Sequence, residues 1–417
     1  MTTINWGLLG PEQLASEIRT RTLGVGIAVR SFNDLAVPGL GGVKFSKSVF
    51  LACLGVYVAE KVRFKGKQLS NIQVTNAIEA LACCLSYGNN GWKSDQRLRG
   101  NTKLSGKNDL SFKAVSNNNF YVTQPMRMAT VQTLPSLGLV EAQGERFNSY
   151  SLSEHGINFV SAACRDFKCH NNSVINFLVK WVLGDTRNPI QNGLIQVISQ
   201  INDLPKEAKK ILKERLISGN DENATRRKTA LDWVNNIVQK PCIAWTQPAE
   251  LSDSHFKDIK SGAYFFILRD HAMYLLDAIE TEVANAKSGK LNLNDPIQKN
   301  LNKYLVNVKG AAKSFIELEH DPSPDKLALA FAHECFKNTD EMIISSIVER
   351  DNLVLKVRDK KIIKGLAFGG VQQEPNEEEQ ELFPKGASYR LLNLYVLNLD
   401  FNDQLDTWLN NGGETDE

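Results

Sequence analysis

Residues 124–163 read QPMRMATVQTLPSLGLVEAQGERFNSYSLSEHGINFVSAA, and this stretch decides the fold predicted for the first third of the chain. Pro125 suits the first position of a helix, and the apolar spacing extends that helix to about residue 136. A strand follows, and a polar turn at 142–149 leads into a returning strand at 150–152. Ser153 is placed to cap a second helix. The stretch therefore predicts a helix, a two-stranded hairpin and another helix.

The first of these helices divides into two kinds of residue. Met128, Val131 and Leu134 fall on one side of it, as core residues would. The other positions are expected to project elsewhere, and their side chains are of types that contact phosphates or base edges. They are Arg127, Thr130, Gln132 and Thr133.

The order of helix, Leu-Gly-Leu-Val strand, polar turn and Tyr-Ser-Leu-Ser-Glu-His-Gly strand resembles the winged helix-turn-helix superfamily. Many transcription regulators have a comparable Leu-Gly-Leu-Val strand, followed by a Tyr-x-Leu-Thr-x-x-Gly strand that leads into the last helix. The resemblance covers about residues 120–165. It implies a recognition helix near 125–136 for the major groove and a wing near 142–149, with Arg146 at the wing tip.

A polar segment rich in Gly and Asn, residues 88–119, precedes this stretch; we call it the basic segment. It has the strongest local positive charge in the chain, opposed only by Asp95 and Asp109. Such a run predicts phosphate contacts, although it is also compatible with a solvated face that has no partner. Its cations are Lys93, Arg97, Arg99, Lys103, Lys107 and Lys113.

Charge is distributed unevenly over the 417 residues, although the net charge is only +2. Residues 1–130 contain 16 Lys and Arg minus 7 Asp and Glu, a balance of +9, whereas residues 371–417 contain 2 minus 11, a balance of −9. This asymmetry favours a basic end that meets a polyanion and an acidic tail that does not.

Several classes of protein are not expected. No apolar run approaches the roughly 20 residues that span a bilayer, and the first ten residues lack the pattern of a secretory signal. Seven cysteines at irregular spacing do not suggest a disulfide framework. The expectation is a cytoplasmic protein that contacts no membrane.

The remainder of the chain is predicted to be mainly α-helical with small β elements. Residues 45–62 and 70–87 are predicted to form two buried helices, the second capped by Ser70 or Asn71. Helical spacing recurs from about residue 173 to residue 350, and residues 353–364 read as a short β-hairpin about an Arg-Asp-Lys turn. A last helix is predicted over 387–410. We therefore expect three regions: a basic winged-helix region at 1–170, a helical domain at 171–350, and a hairpin with a C-terminal helix and an acidic tail at 351–417.

No catalytic motif and no cofactor site are predicted. Cys164, Cys169 and His170 are close in sequence but lack the second ligand pair of a structural zinc site. A metal-dependent nuclease would need clustered carboxylates and a lysine, and only Glu349, Asp351 and Lys356 supply that combination near a predicted hairpin.

Three functions remain open. The first is a non-enzymatic protein that binds double-stranded DNA through the winged helix and the basic segment, with a helical C-terminal half that contacts itself or a partner. The second is an assembly subunit of a bacterial DNA-processing or phage-defence complex, in which the winged helix packs on protein. The third is the metal-dependent nuclease.

Overall fold

The structure is a computed structural model, and it describes residues 21, 23–237, 243–293, 299–369 and 382–410. It divides into two compact units. The first unit contains the described residues within Met1–Phe32, Lys257–Glu379 and Lys385–Ala387. The second contains those within Asn33–Phe256, Gln380–Pro384 and Ser388–Glu417. The boundaries predicted at residues 170 and 350 do not coincide with this division, because each unit is assembled from separate segments of the chain.

The described chain is mainly helical, as predicted. Its α-helices are α1 (Gly26–Ala36), α2 (Ser46–Phe64), α3 (Asn71–Asn89), α4 (Asn101–Leu104), α5 (Phe112–Val115), α6 (Arg127–Thr130), α7 (Thr133–Ser136), α8 (Glu154–Cys164), α9 (Val174–Leu183), α10 (Asn192–Ile198), α11 (Lys206–Ile217), α12 (Glu222–Ile237), α13 (Asp253–Asn285), α14 (Lys299–Ile316), α15 (Leu327–Glu334), α16 (Asp340–Asp351), α17 (Tyr389–Phe401) and α18 (Leu405–Asn410).

The strands form small antiparallel sheets. Two are isolated two-stranded hairpins, and the third sheet has three strands in the order β5-β7-β6. The strands are β1 (Val140–Ala142), β2 (Tyr150–Leu152), β3 (Lys168–Cys169), β4 (Asn172–Ser173), β5 (Lys290–Asn292), β6 (Leu355–Arg358) and β7 (Lys361–Lys364).

Helices α2 and α3 form the centre of the second unit. Every residue from Ser46 to Val56 is buried, as the apolar residues on all sides of this helix require. Ser70, one of the two predicted caps, begins helix α3: its Oγ accepts a hydrogen bond from the N–H of Gln73 at 3.1 Å. The two helices predicted over 45–62 and 70–87 are thus confirmed as buried helices.

The first unit has one apolar core, which includes Phe265, Leu276, Phe315, Phe331 and Ile347. The hairpin predicted over 353–364 is confirmed as β6 and β7, and β5 adds a third strand that the sequence did not indicate.

None of the helices in the described residues is long and apolar enough to cross a lipid bilayer.

Candidate nucleic-acid interface

The β1–β2 hairpin lies where the sequence predicts it. Val140–Ala142 pairs antiparallel with Tyr150–Leu152. The hairpin is held by Asn71, the first residue of α3, whose side-chain amide donates to the carbonyl oxygens of Phe147 and Tyr150 at 3.1 and 2.8 Å. Because Asn71 is completely buried, the turn end of the hairpin is fixed to a rigid helix.

The helix predicted over 125–136 is interrupted. It consists of two short turns, α6 and α7, although the residues between them keep right-handed helical dihedral angles. Pro135 explains the interruption, because it has no N–H to donate to the carbonyl four residues earlier. That carbonyl belongs to Val131, and it accepts the hydroxyl of Tyr150 at 2.8 Å instead. Pro135 therefore leaves the carbonyl of Val131 free of a helical hydrogen bond, and Tyr150 of the hairpin donates to it.

Two glycines determine how the hairpin joins its helices. Gly138, at φ +63°, ends α7, and the N–H of Leu139 then donates to the carbonyl of Leu134 at 3.0 Å, as in a Schellman motif. Ser153 caps α8 as predicted, since its Oγ accepts from the N–H of Gly156 at 3.1 Å. A Cβ on Gly156 would lie 2.1 Å from the carbonyl oxygen of Leu139, so only glycine fits there.

The predicted orientation of α6 is wrong, and that of α7 is right for Leu134, which is buried, but not for Thr133. Arg127, Thr130 and Thr133, which were expected to project outward, are buried, whereas Met128 is 52 % exposed. The hydroxyls of the two threonines donate to the carbonyls of Arg127 and Leu40. These three side chains are therefore unavailable to a major groove.

A buried carboxylate causes this inversion. Glu79 of α3 accepts the N–H groups of Met126 and Arg127 at 2.6 and 2.9 Å and the hydroxyl of Tyr121 at 3.0 Å. Burial raises the pKa of Glu79, while these hydrogen bonds oppose the shift. The Arg127 guanidinium also donates to Asn76 at 2.8 Å. Residues 121–127 are thus pulled onto α3, and the Arg127 side chain is buried with them.

Gln132 is exposed but engaged within the unit. Its side-chain amide donates to Asp34 at 2.6 Å, and its carbonyl oxygen accepts from Arg390 at 2.8 Å. Contact with a base edge would require both bonds to break. The four polar side chains that were predicted to meet the DNA from this helix are therefore either buried or engaged in hydrogen bonds.

The hairpin tip carries little positive charge. Arg146 is exposed there, as predicted for a wing, but Glu141 and Glu145 are exposed on the same hairpin. Two carboxylates therefore outnumber one guanidinium, and the hairpin by itself does not attract a polyanion.

One cation of the basic segment is neutralised within the second unit. Arg97 forms ion pairs with Asp95 at 2.8 Å and with Asp406 at 2.6 Å, and its side chain is only 13 % exposed. The prediction that Arg97 faces a partner is therefore wrong. The contact with Asp406 joins residues 309 positions apart, so local sequence patterns could not reveal it.

The other five cations of the basic segment are exposed. They are Lys93, Arg99, Lys103, Lys107 and Lys113. In the segment only Asp109 opposes them, and hydrogen bonds from Ser111 lower its pKa. Since Arg97 and Asp95 cancel, five positive charges face one negative charge over this stretch.

The positive charge of Arg99 affects a neighbouring lysine, Lys44. Lys44 lies half-buried in the second unit, and its pKa is lowered first by burial and then by the charge of Arg99. An anion bound between the two side chains would relieve this repulsion. Arg99 itself donates to the carbonyl of Gln124 at 3.1 Å, which fixes part of its guanidinium while the side chain stays exposed.

Trp92, the first aromatic residue of the basic segment, was not among the predicted contact residues. Its indole is 37 % exposed and lies beside the exposed Lys93. The signal that could have indicated it is the Asn-Asn-Gly-Trp-Lys sequence, an aromatic side chain placed on a turn among cations.

The two carboxylates considered for a metal-dependent nuclease, Glu349 and Asp351, form hydrogen bonds within the protein. Asp351 is buried and accepts the N–H of Leu355 at 3.0 Å, and burial raises its pKa. Glu349 accepts the hydroxyl of Ser345 at 3.1 Å. Among the described residues no group of three His, Cys, Asp or Glu side chains is placed to hold a metal ion.

Cys164 and Cys169 are buried. Burial raises the pKa of Cys164 to about 12 and that of Cys169 to about 11.

Comparisons of the chain with protein-family models, with curated proteins and with solved structures found no match.

Proposed function

We propose that this chain binds double-stranded DNA through phosphate contacts of the basic segment and has no catalytic activity of its own. The observation that carries the proposal is the set of five exposed cations opposed by one carboxylate. Clustered Lys and Arg side chains gain affinity for a duplex by releasing its condensed counterions. Such binding requires no catalytic group and no cofactor.

The proposed contacts are to the backbone and not to base edges. The side chains that the resemblance assigned to base readout are buried or engaged, whereas the exposed cations lie on an irregular segment with only two short helices, α4 and α5. Lys and Arg bind phosphates whatever the sequence. The proposed binding is therefore largely independent of DNA sequence.

The hairpin has a smaller role in this proposal. A winged-helix arrangement is supported by the order helix, strand, turn, strand and helix from α7 to α8. In that arrangement the hairpin tip would lie along the DNA backbone, and Arg146 would be the cation at the tip that contacts phosphate. Because Glu141 and Glu145 repel phosphate, we expect Arg146 to add little affinity.

The test is a binding titration with a labelled duplex of mixed sequence at low salt. The triple variant Lys103→Ala/Lys107→Ala/Lys113→Ala is compared with wild type. The matched control is Lys303→Ala/Lys313→Ala/Lys361→Ala, which removes three exposed lysines of the first unit and changes the net charge equally. Weaker binding by the first variant and unchanged binding by the control support the proposal. Absence of wild-type binding, or equal affinities for all three proteins, contradicts it.

A further inference from the structure

The turn that opens the basic segment holds its tryptophan in a costly backbone conformation. Helix α3 ends at Asn89, and both Gly91 and Trp92 have positive φ, at +68° and +60°. Glycine tolerates this region, but a bulky residue there is strained. Residues in such conformations persist where surrounding structure enforces them, and they concentrate at binding sites.

Hydrogen bonds enforce the conformation. The N–H of Trp92 donates to the carbonyl of Tyr87 at 2.9 Å. The N–H of Asn90 donates to the carbonyl of Ser86 at 3.0 Å, and its side-chain amide donates to the carbonyl of Lys93 at 3.1 Å. The position of Trp92 is therefore fixed relative to α3 before any ligand binds.

The indole is stacked on a second aromatic ring. The rings of Tyr87 and Trp92 are parallel to within 3°, with centroids 5.2 Å apart. Tyr87 is buried, whereas Trp92 remains 37 % exposed. One face of the indole thus rests on a fixed ring, and the side chain as a whole remains partly exposed.

Charge indicates what such a ring would bind. Lys93 is exposed directly after Trp92, and Arg99, Lys103, Lys107 and Lys113 follow in the same segment. Aromatic side chains placed among cations are the common device for binding unpaired nucleotides, because bases stack on the rings while cations contact the phosphates.

We propose that Trp92 is a stacking platform for an unpaired base, so that the basic segment binds single-stranded nucleic acid as well as a duplex. This inference rests on the proposed function. The bound base would form a third layer above Trp92 and Tyr87. Bases within a duplex are already stacked on both faces, so Trp92 contributes only where bases are unpaired.

The test uses two substitutions of Trp92. Trp92→Gly removes the indole and relieves the strain, because glycine favours positive φ. Trp92→Phe keeps an aromatic ring. Phe336→Ala, which removes a 47 % exposed aromatic side chain of the first unit, is the matched control. Affinities are measured for labelled oligothymidylate and for a blunt duplex.

We expect Trp92→Gly to weaken binding to oligothymidylate about tenfold or more, which is the range for loss of one stacked base. Trp92→Phe should recover part of that affinity, and duplex binding should not change. The control should bind both ligands like wild type. As a direct readout, oligothymidylate should quench more tryptophan fluorescence in wild type than in Trp92→Phe.

The experiment distinguishes failure of the proposed function from failure of the stacking inference. If wild type binds neither ligand, the proposed function is wrong and the stacking inference is wrong with it. If the duplex binds and the basic-segment variant weakens it, but Trp92→Gly leaves oligothymidylate affinity unchanged or weakens both ligands equally, only the stacking inference is overturned. Equal quenching in wild type and in Trp92→Phe overturns it as well.

Discussion

The salt dependence of DNA binding tests the basic segment most directly, because its slope counts phosphate contacts. Each cation that neutralises a phosphate adds about −0.9 to the slope of log K against log salt for B-form DNA. Five exposed cations, one phosphate each, give a slope of about −4.5. Between 50 and 200 mM salt the wild-type affinity should then fall by roughly 500-fold.

The variant Lys103→Ala/Lys107→Ala/Lys113→Ala leaves two of these cations, Lys93 and Arg99. Its slope should therefore be about −1.8, whereas the three-lysine control in the first unit should keep the wild-type slope. Fluorescence anisotropy titrations of one labelled duplex at four or more salt concentrations give all three slopes. Affinity at a single salt concentration would be less informative, because any loss of folded protein also lowers it.

Two outcomes would refute this reasoning. A wild-type slope near zero would mean that the protein does not bind the duplex through phosphates. A steep slope that the variant retains would mean that the phosphate contacts come from other residues, and the basic segment would then be an ordinary solvated surface.

Two further predictions concern buried cations of the second unit. Lys47 is buried, with its Nζ donating to the carbonyl of Val197 at 3.0 Å, and burial lowers its pKa from 10.5 to about 8 despite the opposing charge of Asp400. Between these two values the unfolded state binds more protons, so the wild-type free energy of unfolding should rise with pH, relative to Lys47→Met, by up to about 3 kcal/mol. Urea unfolding at pH 7.5 and at pH 10, followed by tryptophan fluorescence, measures the difference; parallel pH profiles would contradict the expectation. Arg127→Ala should lower the free energy of unfolding by about 1–3 kcal/mol, because it removes the charged partner of the part-buried hydrogen bond to Asn76, and should leave the salt slope unchanged. Thermal unfolding and the anisotropy series check this, and a shallower slope at unchanged stability would restore Arg127 as a DNA contact.

Elements defined by local chemistry could be predicted from the sequence. The apolar spacing of α2 and α3, the serine caps of α3 and α8, and the two-stranded hairpin each depend on residues that are close in sequence. Gly138, which ends α7, and Gly156, which lies against the carbonyl of Leu139, both stand in the motif that predicted the hairpin.

The orientation of α6 could not be predicted, because it depends on a contact between distant residues. Amphipathic spacing placed Met128 toward the core, but the hydrogen bonds from residues 121–127 to Glu79 turn the opposite side inward. One indication was present. Glu79 is the only charged residue in the 19 residues of α3, and a lone carboxylate on a buried helix needs partners. The sequence indicated that Glu79 needs hydrogen-bond partners, but it did not indicate which residues supply them.

Helix α3 connects every part of the candidate interface. Asn71 at its start holds the hairpin, Glu79 at its middle holds the segment that leads into α6, and Tyr87 near its end supports Trp92. Successive members of this series are eight residues apart, which is about 12 Å along a helix axis. The hairpin and the Trp92 turn are therefore attached about 24 Å apart. At 3.4 Å per base pair that distance corresponds to about seven base pairs. Since α3 is a rigid rod, these two attachment points keep that separation, and we expect a ligand that contacts both the hairpin and the Trp92 turn to be of about that length, whereas a shorter one would contact the cations of the basic segment alone.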